Sequence, residues 1–424
     1  MKVCVFGLWH LGSVTAACLA DAGCEVAGLD EGEEVIDALN HGHAPLLEPG
    51  LDDLIRKGIA AGRLRFTTDS AEAVKNASVV WVAFDTPVSD DDRADVNYVV
   101  ARVEKLLPLL EPGALVIISS QLPVGTVGAL ERRCGRKDIS FAALPENLRL
   151  GKAIEVFTKP DRIVAGVRSD SDRVRISKML APITERIEWM SVESAEMTKH
   201  AINAFLATSV VFINEIATIC EEVGADAKEV ERGLKSESRI GPRAYLSPGA
   251  AFAGGTLARD IAFLSELSER ANRKSPLIES VKTSNDLHKG WTRRKLQMLF
   301  GDLRDRTVGV WGLTYKPGTD TLRRSSSVEL CRWLHDQGAH VIAHDPALKS
   351  LPQELQSIIN LRDSPADAAS NVDALVVATE WPMYREVKLD IRDRLTVIDA
   401  NRFLRDRFES HAAVRYVTIG KGLT

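Results

Sequence analysis

The chain has 424 residues, more than a single hydrophobic core serves, so two or three domains are expected. Hydrophobic residues make up 45% and charged residues 27%, as in ordinary globular proteins. The 54 basic and 59 acidic side chains give a net charge of −5, which argues against a nucleic-acid partner, because a phosphate backbone calls for a concentrated basic surface. No apolar run approaches the ~20 residues of a membrane-crossing helix. The opening MKVCVFGLWHLGS lacks the basic and then apolar pattern of a secretion leader. A cytoplasmic protein without membrane attachment is therefore expected. Six cysteines are scattered without a C-x-x-C pair. That spacing suggests neither a metal site nor a disulfide framework, but small buried hydrophobes in a reducing compartment.

In chain order, Val3–Phe6 reads as a strand, Gly7–Gly12 as a turn and Val14–Ala20 as a helix. Gly23 stops that helix, and Glu25–Asp30 is a second strand. Further strands are expected at Ser78–Ala83, Ala114–Ser119 and Phe141–Leu144, with helices between them such as Val96–Leu110. Strand–helix alternation of this kind implies α/β architecture with a mostly parallel sheet. From Ser191 to Val223 there is no Gly or Pro, and apolar residues fall on more than one face, which predicts one long buried helix. Helices continue to about Gly301, interrupted by the Gly/Pro-rich stretch 241–255. The opening theme then recurs. Thr307–Gly312 is a strand ending in glycine, Ser325–Asp336 a helix and His340–Asp345 a strand ending in aspartate, with strands after it at Ala374–Ala378 and Leu395–Asp399. The chain thus reads as two Rossmann-like, doubly wound domains joined by a long central helix and a helical middle domain. The boundaries are 1–185, 186–300 and 301–424.

Gly7-Leu8-Trp9-His10-Leu11-Gly12 follows a strand and opens a helix, and Asp30 closes the next strand 23 residues after Gly7. A dinucleotide turn needs a tight first glycine and a helix N-terminus facing the pyrophosphate. The acid after the second strand would hold the ribose diol and favour NAD over NADP. Trp9 stands where the G-x-G-x-x-G pattern has its middle glycine, so its ring must turn away or alter the approach.

Together with these features, a series of segments runs in order along nearly the whole chain: HGHAPLLEPGLDDLI (41–55), Asp85-Thr86-Pro87, SSQLPVGT (119–126), PENLRLGKAIEVFTKPDRIVAG (145–166), AEMTKHAINAFLATSVVFINEIA (195–217), RIGPRAYLSPGAAFAGGTLARD (239–260), GLTYKPGTDTLRRSSS (312–327) and TEWPMYR (379–385). In this order the segments resemble the nucleotide-sugar dehydrogenases typified by UDP-glucose 6-dehydrogenase and GDP-mannose dehydrogenase. The resemblance implies NAD-dependent oxidation of a sugar C6 alcohol to a carboxylate in two hydride transfers, with a cysteine thiohemiacetal and thioester between them. It implies Lys199 and Asn203, four apart on one helix face, as the groups that bind and polarise the reacting oxygens. Glu146 is implied in the hydrolytic step and Asp260 in the Lys/water network, although Asp260 also reads as a helix N-cap before IAFLSEL. The cofactor contacts fall on Gly7, Trp9, His10, Leu11, Gly12, Asp30, Thr86, Pro87, Gln121 and Arg323. The sugar nucleotide contacts fall on Leu148, Arg239, Tyr245, Gly254, Gly255 and Lys316, with Arg239 reaching in from a neighbouring protomer of a homodimer.

One departure bears on the chemistry. Where the family reads G-G-S-C-F-P-K-D, this chain has Gly254-Gly255-Thr256-Leu257-Ala258-Arg259-Asp260, one residue shorter and without cysteine. Gln121 and Leu150 also depart from the family's threonine and glutamate. A threonine hydroxyl is a poor nucleophile without an adjacent base. Three readings stay open: a two-electron oxidation ending at the carbonyl, a four-electron oxidation through water attack, and a silent nucleotide-sugar-binding or scaffold protein.

Overall fold

The computed structural model describes residues 1–87, 89, 94–146, 148–253, 255–391 and 394–422. The chain divides into two compact units, Met1–Ile202 and Asn203–Thr424. The first is built on strands β1 (Lys2–Phe6), β2 (Glu25–Leu29), β3 (Leu64–Thr67), β4 (Val79–Val82), β5 (Leu115–Ile118), β6 (Ser140–Ala143), β7 (Ile163–Gly166) and β8 (Ile187–Met190). Their order is β3-β2-β1-β4-β5-β6-β7-β8, parallel throughout except between β6 and β7. Alternation along β1 shows why this sheet is covered on both faces. Val3 and Val5 enter one core, while Cys4 and Phe6 enter the other.

The second unit carries β9 (Thr307–Trp311), β10 (His340–His344), β11 (Ile359–Leu361), β12 (Ala374–Val377), β13 (Leu395–Asp399) and β14 (Val414–Val417). These form an all-parallel sheet ordered β11-β10-β9-β12-β13-β14. In each sheet the strand order reverses beside the first strand, between β1 and β4 and between β9 and β12. Ligand crevices of open α/β sheets lie at such a reversal, outside the carboxyl ends of the strands.

The expected strands and helices are present within a few residues of their expected ends, and five strands not foreseen (β3, β7, β8, β11 and β14) complete the sheets. The first helix begins earlier than expected, at His10, and the helix from Val96 gives way to a 3-10 turn after Leu106. The long helix runs over Val192–Val223 as one element.

One expectation is corrected. By length and composition this central helix is apolar enough to cross a membrane, with a mean hydropathy of 1.6 in its most apolar window. Single polar residues such as Asn203 and Asn214 break the apolar run without lowering its average much. In the second unit one side of it is packed. Ala204, Ala207 and Val211 pack with Ile261 and Val281, and Ala217 and Cys220 enter the core under the second sheet.

Candidate active site

The first site is the turn between β1 and the helix His10–Asp21. Gly7 has φ +92°, and a Cβ there would lie 2.7 Å from the Phe84 ring. A Cβ on Gly12 would meet the Gly7 carbonyl oxygen at 1.6 Å, so only glycine lets the helix pack this closely on the turn. Trp9 takes an ordinary φ of −73° and is 48% exposed, so its ring turns outward. It supplies no side-chain cap to the helix, whose N-terminus therefore suits a phosphate. Asp30 shapes the same turn, accepting the Leu8 N–H at 2.8 Å and the Gly32 N–H at 3.0 Å. Leu11 N–H lies 3.3 Å from the Asp85 carboxylate. The donor set, tight glycines and flanking acid fit a dinucleotide.

His10 is held by Glu48 at 2.9 Å, a carboxylate that sequence reading did not single out. Glu48 is buried and also accepts the Gly151 N–H at 2.7 Å and the Ala153 N–H at 2.8 Å. It thereby fixes the loop after Leu148 beside the turn. Thr86, also buried, donates to the Gln121 carbonyl at 2.8 Å, which ties the 85–87 segment to the loop after β5. Pro87 is exposed at the end of that segment.

The second site is a small pocket lined by Gln121, Glu146, Glu196, Lys199 and His200 among others. The Lys199 ammonium donates to the main-chain carbonyl of Glu146 at 2.6 Å. The Glu146 carboxylate accepts the Leu148 N–H. Burial raises the Glu146 carboxyl above the ordinary glutamate range, against the opposing pull of the Lys199 charge. Glu196 accepts the Gly125 N–H at 2.7 Å and the Val127 N–H at 3.0 Å, which caps the helix Thr126–Cys134. His200 Nε2 meets the Leu122 carbonyl at 2.9 Å. Sequence reading missed both residues, yet 196, 199, 200 and 203 form one helical stripe of polar side chains in an apolar helix.

In the second unit, Asn203 donates to the Asp260 carboxylate, and Asp260 is fully buried. The alternative expectation that Asp260 caps its helix is corrected. The helix spans Thr256–Arg270 with Gly255 at the cap, which puts Asp260 one turn inside. Gly255 has φ +110°, a conformation that favours glycine. Gly254 falls outside the described residues. Thr256 is exposed, while Leu257 turns toward the core of Ala204, Ala207 and Val211.

The remaining expected residues are spread over the second unit. Arg239 is exposed and pairs with Glu237 at 3.0 Å. Tyr245 is exposed, Lys316 half-buried, and Arg323 exposed just before the helix Ser326–Asp336. Among the cysteines, Cys4, Cys18 and Cys331 are packed in cores, and burial pushes their thiols up to about 12. Cys24 and Cys220 are buried and raised as well, and Cys134 ends the helix Thr126–Cys134. Among the described residues no cluster of His, Cys, Asp and Glu could hold a metal ion.

The chain matches three models of the UDP-glucose/GDP-mannose dehydrogenase family. These are the NAD binding domain over residues 1–184, the central domain over 193–287 and the UDP binding domain over 309–407. It is 35% identical to a UDP-glucose 6-dehydrogenase of Rhizobium meliloti, over 99% of this chain and 100% of that protein. It is also 35% identical to one from Pseudomonas aeruginosa, over 91% and 89%. Among solved structures it resembles a UDP-glucose dehydrogenase from Pyrobaculum islandicum, with a TM-score of 0.88, 29% identity and coverage of 99% and 98%.

Proposed function

Because the chain belongs to the UDP-glucose/GDP-mannose dehydrogenase family, we propose that it oxidises the C6 alcohol of a UDP-glucose-like sugar nucleotide without a cysteine nucleophile. It is an NAD-dependent oxidoreductase of nucleotide sugars. UDP-glucose is the first substrate to test, since the curated relatives named above carry that activity. The three domains are taken as 1–185, 186–300 and 301–424.

Bound NAD supplies the hydride acceptor. The N-terminus of the helix His10–Asp21, with Gly7, Trp9, His10, Leu11 and Gly12, receives the pyrophosphate. Asp30 still has lone pairs to accept the ribose hydroxyls. Thr86, Pro87, Gln121 and Arg323 complete the cofactor contacts. Leu148, Arg239, Tyr245, Gly254, Gly255 and Lys316 bind the sugar nucleotide.

The Lys199–Glu146 pair carries the reading, because it joins an ammonium donor and a carboxyl group in one pocket. As the substrate C–H leaves as hydride, the hydroxyl becomes alkoxide-like, and Lys199 stabilises that charge. Asn203 hydrogen-bonds the same oxygen. Asp260, oriented by Asn203, holds the water that takes the hydroxyl proton. The product of this step is the aldehyde, with one NAD reduced.

The raised Glu146 carboxyl favours a second step. A carboxyl group titrating nearer neutrality is better matched to proton transfer with water. As carboxylate it takes a proton from water while the oxygen adds to the aldehyde. The resulting gem-diol anion loses its remaining C–H as hydride to a second NAD and leaves as the uronic acid, and the proton held by Glu146 passes to solvent. No thiol enters either step.

A screen of nucleotide sugars with NAD, following NADH per sugar consumed and product mass, tests the reading. Two NADH per uronic acid is the expected result with both steps, and one NADH with a carbonyl product means the reaction stops at the first. No NADH with any nucleotide sugar contradicts the function and leaves a silent binding protein.

A homodimer also belongs to this reading. Phe205, Phe212 and Ile219 recur every seven residues along the central helix and are exposed. Such a stripe suits a second copy of the chain.

A further inference from the structure

Residues 247–253 contain no helix or strand, and their sequence, SPGAAFA, offers little to hold a shape. Their main chain is nevertheless held by four side chains from elsewhere in the second unit. Gly249 N–H donates to Asn214 Oδ1 at 3.0 Å, and the Gly249 carbonyl meets His288 Nε2 at 2.9 Å. Asn285 pairs with Phe252 in both directions, accepting its N–H at 3.0 Å and donating to its carbonyl at 2.9 Å. Ala250 N–H donates to Asn401 Oδ1 at 2.7 Å.

Asn214 and Asn285 are 2% and 3% exposed, and His288 is nearly as deeply buried. Burying an amide or imidazole is costly unless each polar atom is partnered. Here the partners are loop backbone groups, so the loop and the buried side chains each depend on the other. His288 meets a carbonyl, which requires its Nε2 to carry the proton. Gly249 belongs to the same device, since a Cβ there would lie 2.3 Å from Asn401 Oδ1.

A loop made mostly of Ser, Pro, Gly and Ala, with Phe252 as its one large apolar anchor, would ordinarily sample many conformations. Five bonds from the central helix, the helix Pro276–Lys289 and the segment after β13 remove that freedom before any ligand arrives. In sequence the loop lies between Tyr245 and the pair Gly254-Gly255. We propose that Asn214, Asn285, His288 and Asn401 are positioning residues that pre-form the sugar-nucleotide loop 247–253. They touch no reacting atom, and they act by sparing the substrate the entropy of ordering the loop. The role of the loop in binding rests on the reading given under Proposed function.

Asn401 is exposed, so its replacement leaves the core intact. Asn401→Ala is expected to raise KM for UDP-glucose by about 5- to 10-fold, the loss of one net hydrogen bond. The kcat and the KM for NAD should stay within about 2-fold, the size of a few tenths of a kcal/mol. Asn401 also donates to the Glu380 carboxylate, so the rescue variant is Asn401→Asp/Glu380→Gln, which keeps the acceptor for Ala250 N–H, sets no two carboxylates side by side and should restore most of the affinity. Hydrogen exchange read on peptides covering 247–253 should quicken in Asn401→Ala and Asn285→Ala but not in Asn401→Asp/Glu380→Gln. Unchanged exchange in the alanine variants overturns the clamp. Faster exchange with an unmoved KM for the sugar overturns the positioning role while leaving the clamp in place. A wild-type chain that binds no nucleotide sugar in calorimetry refutes the site reading itself, and with it the positioning role, whatever the exchange shows.

Discussion

Glu146 and Lys199 illustrate how one residue can be given its chemistry by a few neighbours. Lys199 is directed to the Glu146 main-chain oxygen at 2.6 Å, while burial lifts the Glu146 carboxyl above the usual range. The sign of the consequence is fixed. A raised carboxyl keeps its proton to higher pH, so activity that needs the carboxylate is lost at a higher pH than for a free glutamate as the medium is acidified. The pH profile of kcat/KM for sugar oxidation should show this acid limb, and Glu146→Gln should lack it while still reducing NAD in the first step. An acid limb that survives unchanged in Glu146→Gln would assign it to another group. Stability follows the same sign. The native state holds a proton that the unfolded chain releases, so stability falls as pH climbs from the ordinary glutamate value through the raised one. Glu146→Gln removes that fall.

At the scale of elements, the central helix matters for what it carries on its polar stripe and what it ties down at its end. Near its C-terminus, Glu221 is 6% exposed at its side chain and pairs with Lys295 at 2.7 Å. It also accepts the Trp291 indole N–H at 2.9 Å and the Gly420 N–H at 2.9 Å. One carboxylate thus joins the central helix, the helix Trp291–Phe300 and the C-terminal segment. Removing one partner of a buried pair leaves the other charge uncompensated. Lys295→Met should therefore cost roughly 3–5 kcal/mol in chemical denaturation of the second unit. The double change Glu221→Leu/Lys295→Met should cost less than the two single changes added together, and a double change equal to that sum would show that the pair has no coupling.

The elements themselves were largely legible. The apolar, β-branched run Val3–Phe6, the glycine turn after it and the uninterrupted run 192–223 follow from composition and from the placing of breakers. Among the strands that escaped, β8 carries a charged residue and is only partly buried, so it lacks the unbroken apolar run that marks β4 and β5 at the same length. Asp260 reads from the sequence both as an active-site residue and as a cap, since the actual cap, Gly255, has no side-chain acceptor to announce the helix start. The stripe Glu196, Lys199, His200 could have been read from helical spacing. The Glu48 contacts could not, because its partners lie 38 and about 100 residues away and are met only through the fold.

Across the whole molecule, the same strand–turn–helix–strand theme is used twice with different outcomes. Asp30, after β2, accepts two main-chain N–H groups and remains partly exposed. Its counterpart Asp345, after β10, is 2% exposed and accepts from Leu313 N, Thr314 N, Thr314 Oγ1, Ala347 N and Trp381 Nε1. A carboxylate so fully used has no capacity left for a ribose diol. The second half therefore departs from the dinucleotide pattern, in keeping with its match to a UDP binding domain. The proposed homodimer belongs to this scale too. Phe205→Glu with Phe212→Glu should shift the mass measured by analytical ultracentrifugation from dimer to monomer, and an unchanged mass would place the interface elsewhere.

The central claim is hydride transfer from a nucleotide sugar without a protein thiol. It is tested most directly by following NADH formation from UDP-glucose and NAD before and after exhaustive alkylation of accessible cysteines. The account predicts that NADH forms and that its rate is unchanged by alkylation. Turnover abolished by alkylation, and spared when the sugar nucleotide is present during the treatment, would contradict it.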